Sequence, residues 1–460
     1  MNSIRNEERI KSKNKKGKRD LILSGNLINA IIYISVPMML IAFIQPMGYI
    51  IDNLFISKIG DTQLAAVGFA NPIINFATAF GVGLGYAGIA LIGQCLGRKD
   101  DEEANIISIQ LIVFSIIIGS ITALIVIVYG QFVLKDLKGQ LFLNTQIYLF
   151  VISLGIPLNF FNSIYAAIKR AYGDAIKPLH INIFSLVLKS ALNFFAIFVL
   201  HKSFLGIAYA TIVTNIIIVC IECIDLFMLN TAYKLTFKNF KFYKSNIWMF
   251  IKLGVPSALS GASSQLSFIL INRQAISYGE SVLTAYSIAN SINSLFFSQV
   301  GAVGTALATI VSQNIGASQV DRAKEATRKA TLLSFILSIF FAIFLIVFSR
   351  PMVELFTHSP EIIYYGTNAM QIYSISVIAW SIFQTQLGAF IGIGQTKVPL
   401  YATIIRIWVI RIPFVYLCQL INPEMKEFII WYSMLISNIG VTVFTIFKLK
   451  HINWKYKLSI

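Results

Sequence analysis

Apolar runs long enough to cross a lipid bilayer recur along almost the whole chain, and they limit the fold more than any other feature. A spanning helix needs about 20 mostly apolar residues, because the hydrocarbon layer is about 30 Å thick and an α-helix rises about 1.5 Å per residue. Of the 460 residues, 57% are hydrophobic and only 12% are charged, whereas soluble domains carry about 25% charged residues. We therefore predict an all-α polytopic membrane protein whose twelve transmembrane helices begin near residues 28, 64, 105, 144, 178, 204, 247, 283, 330, 361, 398 and 427.

The basic residues indicate how these helices are oriented, because Lys and Arg collect in cytoplasmic loops. The two tails and every second loop hold 26 of the 37 Lys and Arg residues; the opposite loops hold 7, and four lie in or beside the spans. This excess predicts that both termini are cytoplasmic, and it supports an even number of helices. Topology also accounts for the net charge of +17, so we predict no nucleic-acid partner.

The chain repeats itself at an offset of 219 residues. Without a gap, residues 36–104 match residues 255–323 at 16 of 69 positions, and Gln94 falls on Gln313. Corresponding helices are six apart, an even number, so both halves insert the same way up. This predicts two homologous six-helix lobes related by a parallel pseudo-two-fold axis, an arrangement typical of secondary transporters. A channel or receptor built by the same duplication is the alternative from a different class.

The repeat and the loop lengths predict five parts of the chain. They are a basic cytoplasmic tail over 1–24, an N-terminal six-helix lobe over 25–229, a cytoplasmic linker over 230–246, a C-terminal six-helix lobe over 247–447 and a cytoplasmic tail over 448–460.

Three segments carry a resemblance to a known family. Residues 37–72 read PMMLIAFIQPMGYIIDNLFISKIGDTQLAAVGFANP, residues 311–325 read VSQNIGASQVDRAKE, and residues 404–413 read IIRIWVIRIP. Together they resemble multidrug and toxic compound extrusion (MATE) transporters of the bacterial type, over about residues 25–447. The resemblance implies two lobes around a central cleft and a multi-pass protein of the bacterial plasma (inner) membrane.

The resemblance also implies a function. It implies export of cationic or amphipathic organic compounds, such as drugs, toxins or metabolites, by antiport with H⁺ or Na⁺ through alternating access. We expect a small organic substrate, a lipid bilayer as surroundings and a monomeric protein. The alternative within the same superfamily is a flippase for lipid-linked oligosaccharides or lipids, which an excess of basic residues in the cleft would favour.

Asp52 is the leading candidate for ion coupling. An ionisable side chain inside a membrane helix is costly, about 2.5–3.5 kcal/mol on insertion scales, and is a functional candidate for that reason. Burial favours the neutral form of a carboxylic acid, so Asp52 can exchange a proton. Bacterial relatives carry an Asp at this position as a coupling residue, whereas the repeat-related position here is Ile271. The alternative is that Asp52 caps its helix at the outer interface.

Lys189 and Asn193 are predicted to complete the coupling site. Family members often have Asn at the position of Lys189 and Asp at that of Asn193. This departure weighs against a sodium site, because a fixed ammonium competes with Na⁺ for carboxylates. We predict a contact between Lys189 and Asp52 and coupling to H⁺ rather than Na⁺. The alternative is a lysine that extends toward the membrane interface.

Further polar side chains in the spans are candidates to line the cleft, where they can hydrogen-bond a ligand or one another. They are Gln45, Tyr49, Asn53, Asn71, Gln265, Asn272, Asn290, Gln384, Arg406 and Arg411.

The other charged residues in or near the spans are predicted to have structural, gating or interfacial roles. Arg406 and Arg411 are predicted to pair with a carboxylate or to hold helix dipoles, in a structural or gating role. Glu222 and Asp225 are expected to reach interfacial water or cytoplasmic lysines.

No residue pattern indicates chemistry. The four histidines are scattered, and the sequence has neither HExxH nor the phosphate-binding GxxxxGK[ST] loop. We therefore predict a protein that is not an enzyme, with no catalytic residue, no metal site and no cofactor apart from the coupling ion.

Overall fold

A computed structural model describes residues 17–57, 59–134, 138–199, 204–229, 234–238, 240–421, 425, 427–454 and 458 of this protein. Most of the predicted N-terminal tail, parts of the predicted linker and part of the C-terminal tail lie outside the described residues. So do four basic residues used for the predicted orientation, Lys58, Lys135, Lys202 and Lys426.

The described residues form twelve long helical segments and no strand. The first six are α1 (Leu27–Ser57), α2 (Asp61–Gly97), α3 (Asp101–Val133), α4 (Gly139–Leu154 and Ile156–Ala171), α5 (Ile176–Phe194, extended by a π-helical turn, Phe195–Val199) and α6 (Leu205–Cys223, extended by a π-helical turn, Ile224–Met228). The others are α7 (Lys244–Ile276), α8 (Glu280–Gly316), α9 (Val320–Val347), α10 (Pro360–Ile393), α11 (Lys397–Ile404, a π-helical segment Ile405–Arg411, and Ile412–Ile421) and α12 (Phe428–Lys450). A short helix, Ser349–Glu354, follows α9.

The predicted helices and fold class are confirmed. Ten of these helices are long and apolar enough to cross a membrane, and α4, bent by 44° at Gly155, is an eleventh. Helix α7 has 33 residues, which is ample length at about 1.5 Å per residue, but its serines and its basic residues make it less apolar. The predicted starts agree within five residues except for α9, which begins at Val320 instead of 330 because its first turns are charged and still helical.

The packing of the helices repeats between the two halves. We call α1–α6 the N lobe and α7–α12 the C lobe. Helix α2 packs on α3 and α4, and α8 packs in the same way on α9 and α10. Helix α1 packs on α5 as α7 does on α11, and across the lobes α1 packs on α8 as α7 does on α2. The predicted parallel repeat is therefore visible as a repeated set of helix contacts.

The lobes hold each other at the end where α2 and α8 finish. Gln94 donates from Nε2 to the carbonyl oxygen of Ile393 over 3.2 Å, and its repeat partner Gln313 donates to that of Ala171 over 2.7 Å. Each glutamine thus reaches the last turn of a helix in the opposite lobe. At this end a Cβ on Gly97 would collide with the backbone of Gln313.

The termini cover the same end of the molecule. Residues 17–23 are helical, and Ile22, which is 1% exposed, accepts hydrogen bonds at its carbonyl oxygen from Arg322 of the C lobe. Lys18 forms an ion pair with Asp174 of the N lobe over 2.9 Å. The backbone nitrogen of Leu458 donates to Gln94 Oε1 over 3.1 Å. The N-terminal segment and the described part of the C-terminal tail therefore add to the contacts between lobes here.

Candidate functional site

A cavity of about 570 Å³, which we call the N-lobe cavity, lies among α1, α2, α4, α5 and α6. Polar side chains and tyrosines line much of it. Its charged lining residues are Asp52, Arg170, Lys189 and Glu222. Four predicted cleft residues, Gln45, Tyr49, Asn53 and Asn71, line it as well.

Asp52 is held by two side chains of α5. Lys189 Nζ lies 2.5 Å from Asp52 Oδ2 and forms an ion pair with it, and Asn193 Nδ2 donates to Oδ1 over 2.8 Å. The side chains of Asp52 and Lys189 are 14% and 21% exposed. Since Lys189 and Asn193 are four residues apart, they lie on one face of α5, and both reach the same carboxylate on α1.

Glu222 and Asp225 of α6 have separate surroundings. Asp225 forms ion pairs with Lys169 and Lys177 and accepts a hydrogen bond from Tyr165 over 2.9 Å, as expected for a residue that reaches cytoplasmic lysines. Glu222, which is 3% exposed, lines the N-lobe cavity instead. With its amide oriented to donate, Asn162 lies 2.8 Å from Glu222 Oε2.

A second cavity, of about 640 Å³, lies among α2, α7, α8, α10 and α11, and we call it the C-lobe cavity. Five predicted cleft residues line it: Gln265, Asn290, Gln384, Arg406 and Arg411. The remaining polar lining is mainly serine and threonine, and among the described residues no carboxylate lines it.

The hydrogen-bond partners of the two arginines of the C-lobe cavity are neutral among the described residues. Arg411 Nε donates to Ser437 Oγ over 2.9 Å and its Nη2 to Asn438 Oδ1 over 3.4 Å. Arg406 has one weak hydrogen bond, from Nη2 to Ser264 Oγ over 3.4 Å. Its guanidinium carbon lies 4.8 Å from the centre of the Trp380 ring, a cation–π contact. Within the described chain neither arginine has a carboxylate at ion-pair distance, so the predicted carboxylate partner is wrong there.

The two cavities meet along α2. Asn75, Thr78, Val82 and Tyr86 line both of them. They have the spacing of one helix face, three or four residues apart. A molecule that crosses from one lobe to the other therefore passes along this face of α2.

Most of the predicted site residues are brought to these two cavities. Asn193 contacts Asp52 without lining either cavity, and Asn272 lies apart from both sites. Its neighbour Ile271 is 4% exposed and packs in the apolar core of the C lobe, so the helical turn of about 100° per residue directs Asn272 elsewhere. Asn272 is exposed and lines neither cavity.

Sequence reasoning missed several lining residues. The charge of Glu222 inside an apolar run was a usable signal, but Asp225 one turn away made both residues look interfacial. Arg170 gave no such signal, because it adjoins Lys169 at the end of α4 and counts as a loop cation. Tyr86 and Trp380 are two aromatic residues among many in this chain, and only packing distinguishes them.

Comparison with known proteins identifies the family. The MatE family model matches residues 37–195 and 256–417, one stretch in each lobe. The probable multidrug resistance protein YoeA of Bacillus subtilis is 24% identical over 394 residues, which cover 83% of this chain and 84% of the relative. The multidrug export protein MepA of Staphylococcus haemolyticus is 23% identical over 378 residues, which cover 81% and 83% of the two chains.

Solved structures share the fold. The crystal structure of a MATE in complex with MaL6 superposes with a TM-score of 0.89 at 22% identity, covering 94% of this chain and 97% of the other. An outward-facing conformation of a multidrug resistance MATE family transporter of the MOP superfamily gives a TM-score of 0.86 at 23% identity, covering 94% and 96%. With the family model matched in both lobes, this chain belongs to the MATE family of multidrug efflux transporters.

Proposed function

We propose that this protein exports small amphipathic organic compounds in exchange for protons, through alternating access of the cleft between its lobes. The observation that carries the proposal is the Asp52 carboxylate in the N-lobe cavity, joined to Lys189 and Asn193. A carboxylate inside a membrane span that pairs with a charged side chain of a neighbouring helix is the kind of group that an ion gradient can act on.

The contacts between the lobes support alternating access. The side-chain hydrogen bonds that join the lobes lie at the end where α2 and α8 finish, for example those of Gln94 and Gln313. With both termini in the cytoplasm, this is the cytoplasmic end, so the cleft faces outward. Rocking the lobes to face inward must then break these bonds and form others outside, as repeat-built transporters do.

Protonation of Asp52 supplies the coupling. When the carboxylate is ionised, its ion pair with Lys189 holds α1 against α5. Adding a proton removes the negative charge and leaves the ammonium without its partner, which weakens this hold. Helix α1 also packs on α8 of the other lobe, so a change in its position is felt at the interface between lobes.

The same contact favours H⁺ over Na⁺ as the coupling ion. The ammonium of Lys189 already lies 2.5 Å from the carboxylate, where a bound cation would otherwise sit. A sodium ion in that place would meet the repulsion of a fixed positive charge. Proton exchange needs no such displacement.

We also propose the cellular setting. A cleft formed within one chain supports action as a monomer, and the distribution of basic residues supports a bacterial plasma membrane location with both termini cytoplasmic. Of the described residues that line the two cavities, the carboxylates that could meet the cationic substrates implied by the family are Asp52 and Glu222, both in the N-lobe cavity.

One observation favours a second candidate, a flippase for lipid-linked oligosaccharides. The two cavities hold four basic residues, Arg170, Lys189, Arg406 and Arg411, and two acidic ones. An excess of basic residues suits the pyrophosphate of a lipid carrier. Transfer of a fluorescent polyprenyl-pyrophosphate between leaflets, without export of soluble compounds, would favour this candidate.

The proposal is tested with purified protein in liposomes. Transport of rhodamine 6G (a cation), norfloxacin (a zwitterion) and naphthalene-2-sulfonate (an anion) is followed under an imposed pH gradient and, separately, a Na⁺ gradient. We expect accumulation against concentration of at least one compound under the pH gradient alone, lost in Asp52→Asn. The control is Asp321→Asn, since Asp321 is fully exposed at the start of α9. Accumulation driven only by Na⁺, equal activity of Asp52→Asn, or downhill flux only, as in a channel, would overturn it.

A further inference from the structure

We propose that the C-lobe cavity is a binding site for the anionic group of a substrate, a carboxylate, sulfonate or phosphate, held chiefly by Arg406. This inference rests on the proposed export function and names a chemical class for its substrate. It departs from the cationic substrates that the family resemblance implies. The proposal follows from the unpaired charges of the two arginines among the described residues, from the π-helical backbone that carries them and from the aromatic and polar side chains beside them.

Among the described residues, the arginines are buried cations without counter-charges. Arg406 and Arg411 are each 5% exposed, and they are the tenth and fifteenth of the 25 residues of α11, near mid-span. The described parts of α7–α12 carry acidic side chains only before or within their first two turns, for example Glu280, Asp321 and Glu361. A charge in such a place is costly and is a functional candidate by default.

Arg406 is also short of hydrogen-bond acceptors. A guanidinium has five N–H donors, and Arg406 uses one of them, for a bond of 3.4 Å to Ser264. Its buried Nε finds no acceptor among the described residues. Arg411 differs, because its bonds to Ser437 and Asn438 fasten α11 to α12. Arg411 is therefore a supporting charge, and Arg406 has free donors to offer a ligand.

The π-helical segment Ile405–Arg411 places both arginines at the same cavity. In an α-helix of 3.6 residues per turn, side chains five residues apart point about 140° away from each other. In a π-helix the backbone hydrogen bond joins residues five apart, so those side chains lie one above the other. The backbone departs from the regular α-helix here, and both positive side chains therefore lie on one wall of the C-lobe cavity.

Aromatic and neutral polar groups complete the site. The Arg406 guanidinium lies over the ring of Trp380 and 5.9 Å from the centre of the Phe383 ring. These rings fix the plane of the guanidinium and give an apolar surface for the organic part of a ligand. Gln265, Asn290 and Gln384 line the same cavity. An aromatic or amphipathic acid therefore fits the site better than a cation, which would meet two positive charges.

The experiment compares three probes of the same size. Naphthalene-2-sulfonate, naphthalene-2-sulfonamide and 2-naphthyltrimethylammonium are titrated by calorimetry into the full-length protein, purified in neutral detergent without anionic lipid. We expect the sulfonate to bind at least about tenfold more tightly than the sulfonamide, since a charge-assisted hydrogen bond contributes that much. The ammonium should bind most weakly.

Variants assign the preference to the arginine. Arg406→Gln should remove the preference for the sulfonate, and Arg406→Lys, which keeps the charge, should keep part of it. Arg350→Gln is the control, because Arg350 is exposed outside the cavity in a pair with Glu354. Equal affinity for the three probes, or a preference that survives in Arg406→Gln with Arg411→Gln, would overturn the proposal.

A lipid phosphate has the same chemistry as a soluble anion, and one further arm separates them. Phosphatidylglycerol added to the micelles should leave the affinity for the sulfonate unchanged if soluble anions are the ligands; competition lost in Arg406→Gln would identify a lipid phosphate as the ligand of this anion site. None of these measurements uses an ion gradient. An intact preference with no gradient-driven export would therefore count against the proposed function alone.

Discussion

The two lobes share a scaffold and differ in how they balance buried charge. Corresponding helices pack in the same order, and Gln94 and Gln313 make equivalent bonds to the opposite lobe. In the N lobe, however, Lys169 and Lys189 each have a carboxylate partner, whereas Arg406 in the C lobe has none among the described residues. A duplicated fold thus carries two different sites. The repeat conserves packing, while single positions such as Asp52 and its counterpart Ile271 separate the functions.

The difference assigns a separate task to each lobe. In the N lobe, the Asp52–Lys189 ion pair is the group that we propose for coupling to a proton. The bare charges of the C lobe stay positive at any physiological pH, since an arginine does not lose its proton, and this suits holding an anion. The shared face of α2 lies between them. Experiments that change residues in one lobe at a time, or that distinguish proton coupling from anion binding, therefore test this division of tasks.

The largest expected effect is a response of export to the membrane potential. If one proton enters for each monovalent anion exported, two positive charges move inward per turnover. An inside-negative potential of about 100 mV then adds about 4.6 kcal/mol to the driving force, at about 2.3 kcal/mol per charge. In proteoliposomes that take up naphthalene-2-sulfonate, the lumen corresponds to the cell exterior, so a valinomycin and potassium gradient that makes the lumen positive should strongly raise its accumulation ratio.

This result tests whether the C lobe binds an anion while the N lobe takes up a proton. Exchange of a proton for a monovalent cation moves no net charge, so a potential would leave it unchanged. The control is the same potential with rhodamine 6G as substrate. An accumulation ratio of the sulfonate that does not vary with potential would contradict anion–proton exchange.

The second prediction is that removal of one buried charge lowers the free energy of unfolding in the N lobe but not in the C lobe. Removing one partner of a buried ion pair leaves the other charge uncompensated, which costs about 3–5 kcal/mol when the pair is fully buried. Asp52 and Lys189 are partly exposed, so Asp52→Asn or Lys189→Gln should lower the unfolding free energy by about 2–3 kcal/mol. The double variant should lose less than the sum of the two.

In the C lobe the matching change should not destabilise the protein. Arg406→Gln removes a buried cation that has no partner among the described residues, so the unfolding free energy of the unliganded protein should stay equal or rise. Thermal unfolding in detergent measures all four variants. A large loss of stability in Arg406→Gln would mean that the guanidinium has a structural role that its contacts do not reveal.

The sequence predicts the scaffold well because the physics of the bilayer is simple. Apolar length sets the helices, and the internal repeat indicates which helices correspond, so α1–α12 and the parallel arrangement could be predicted without a structure. The contact between Asp52 and Lys189 was also predictable, since two opposite charges inside apolar runs have few other partners. Features that apolar length and the internal repeat do not determine could not be predicted from the sequence. The π-helical segment of α11 packs on α12 within the C lobe, a tertiary contact that the apolar pattern does not encode. Glu222 faces the cavity because α6 turns it away from the lysines that bind Asp225.

The smallest expected effect concerns a repeat-related pair of glycines, Gly85 of α2 and Gly304 of α8. A Cβ on Gly85 would lie 3.4 Å from the carbonyl oxygen of Ser163, an ordinary contact, whereas a Cβ on Gly304 would collide with the backbone of Gln384. Gly304→Ala should therefore lower the unfolding free energy by about 1–2 kcal/mol through overpacking. Gly85→Ala should be neutral or stabilising by up to about 1 kcal/mol, since alanine favours helix over glycine.

Each glycine variant serves as the control for the other, because both add one methyl group at corresponding positions of the fold. The close approach at Gly304 joins α8 to α10 beside Gln384, a residue that lines the C-lobe cavity. If the C lobe holds a fixed anion site, tight backbone packing at that wall keeps its arginines in place. The looser contact at Gly85 suits the proposal that helices of the N lobe shift when Asp52 takes up a proton. Equal effects of the two substitutions would show that the lobes differ in charge only and not in rigidity.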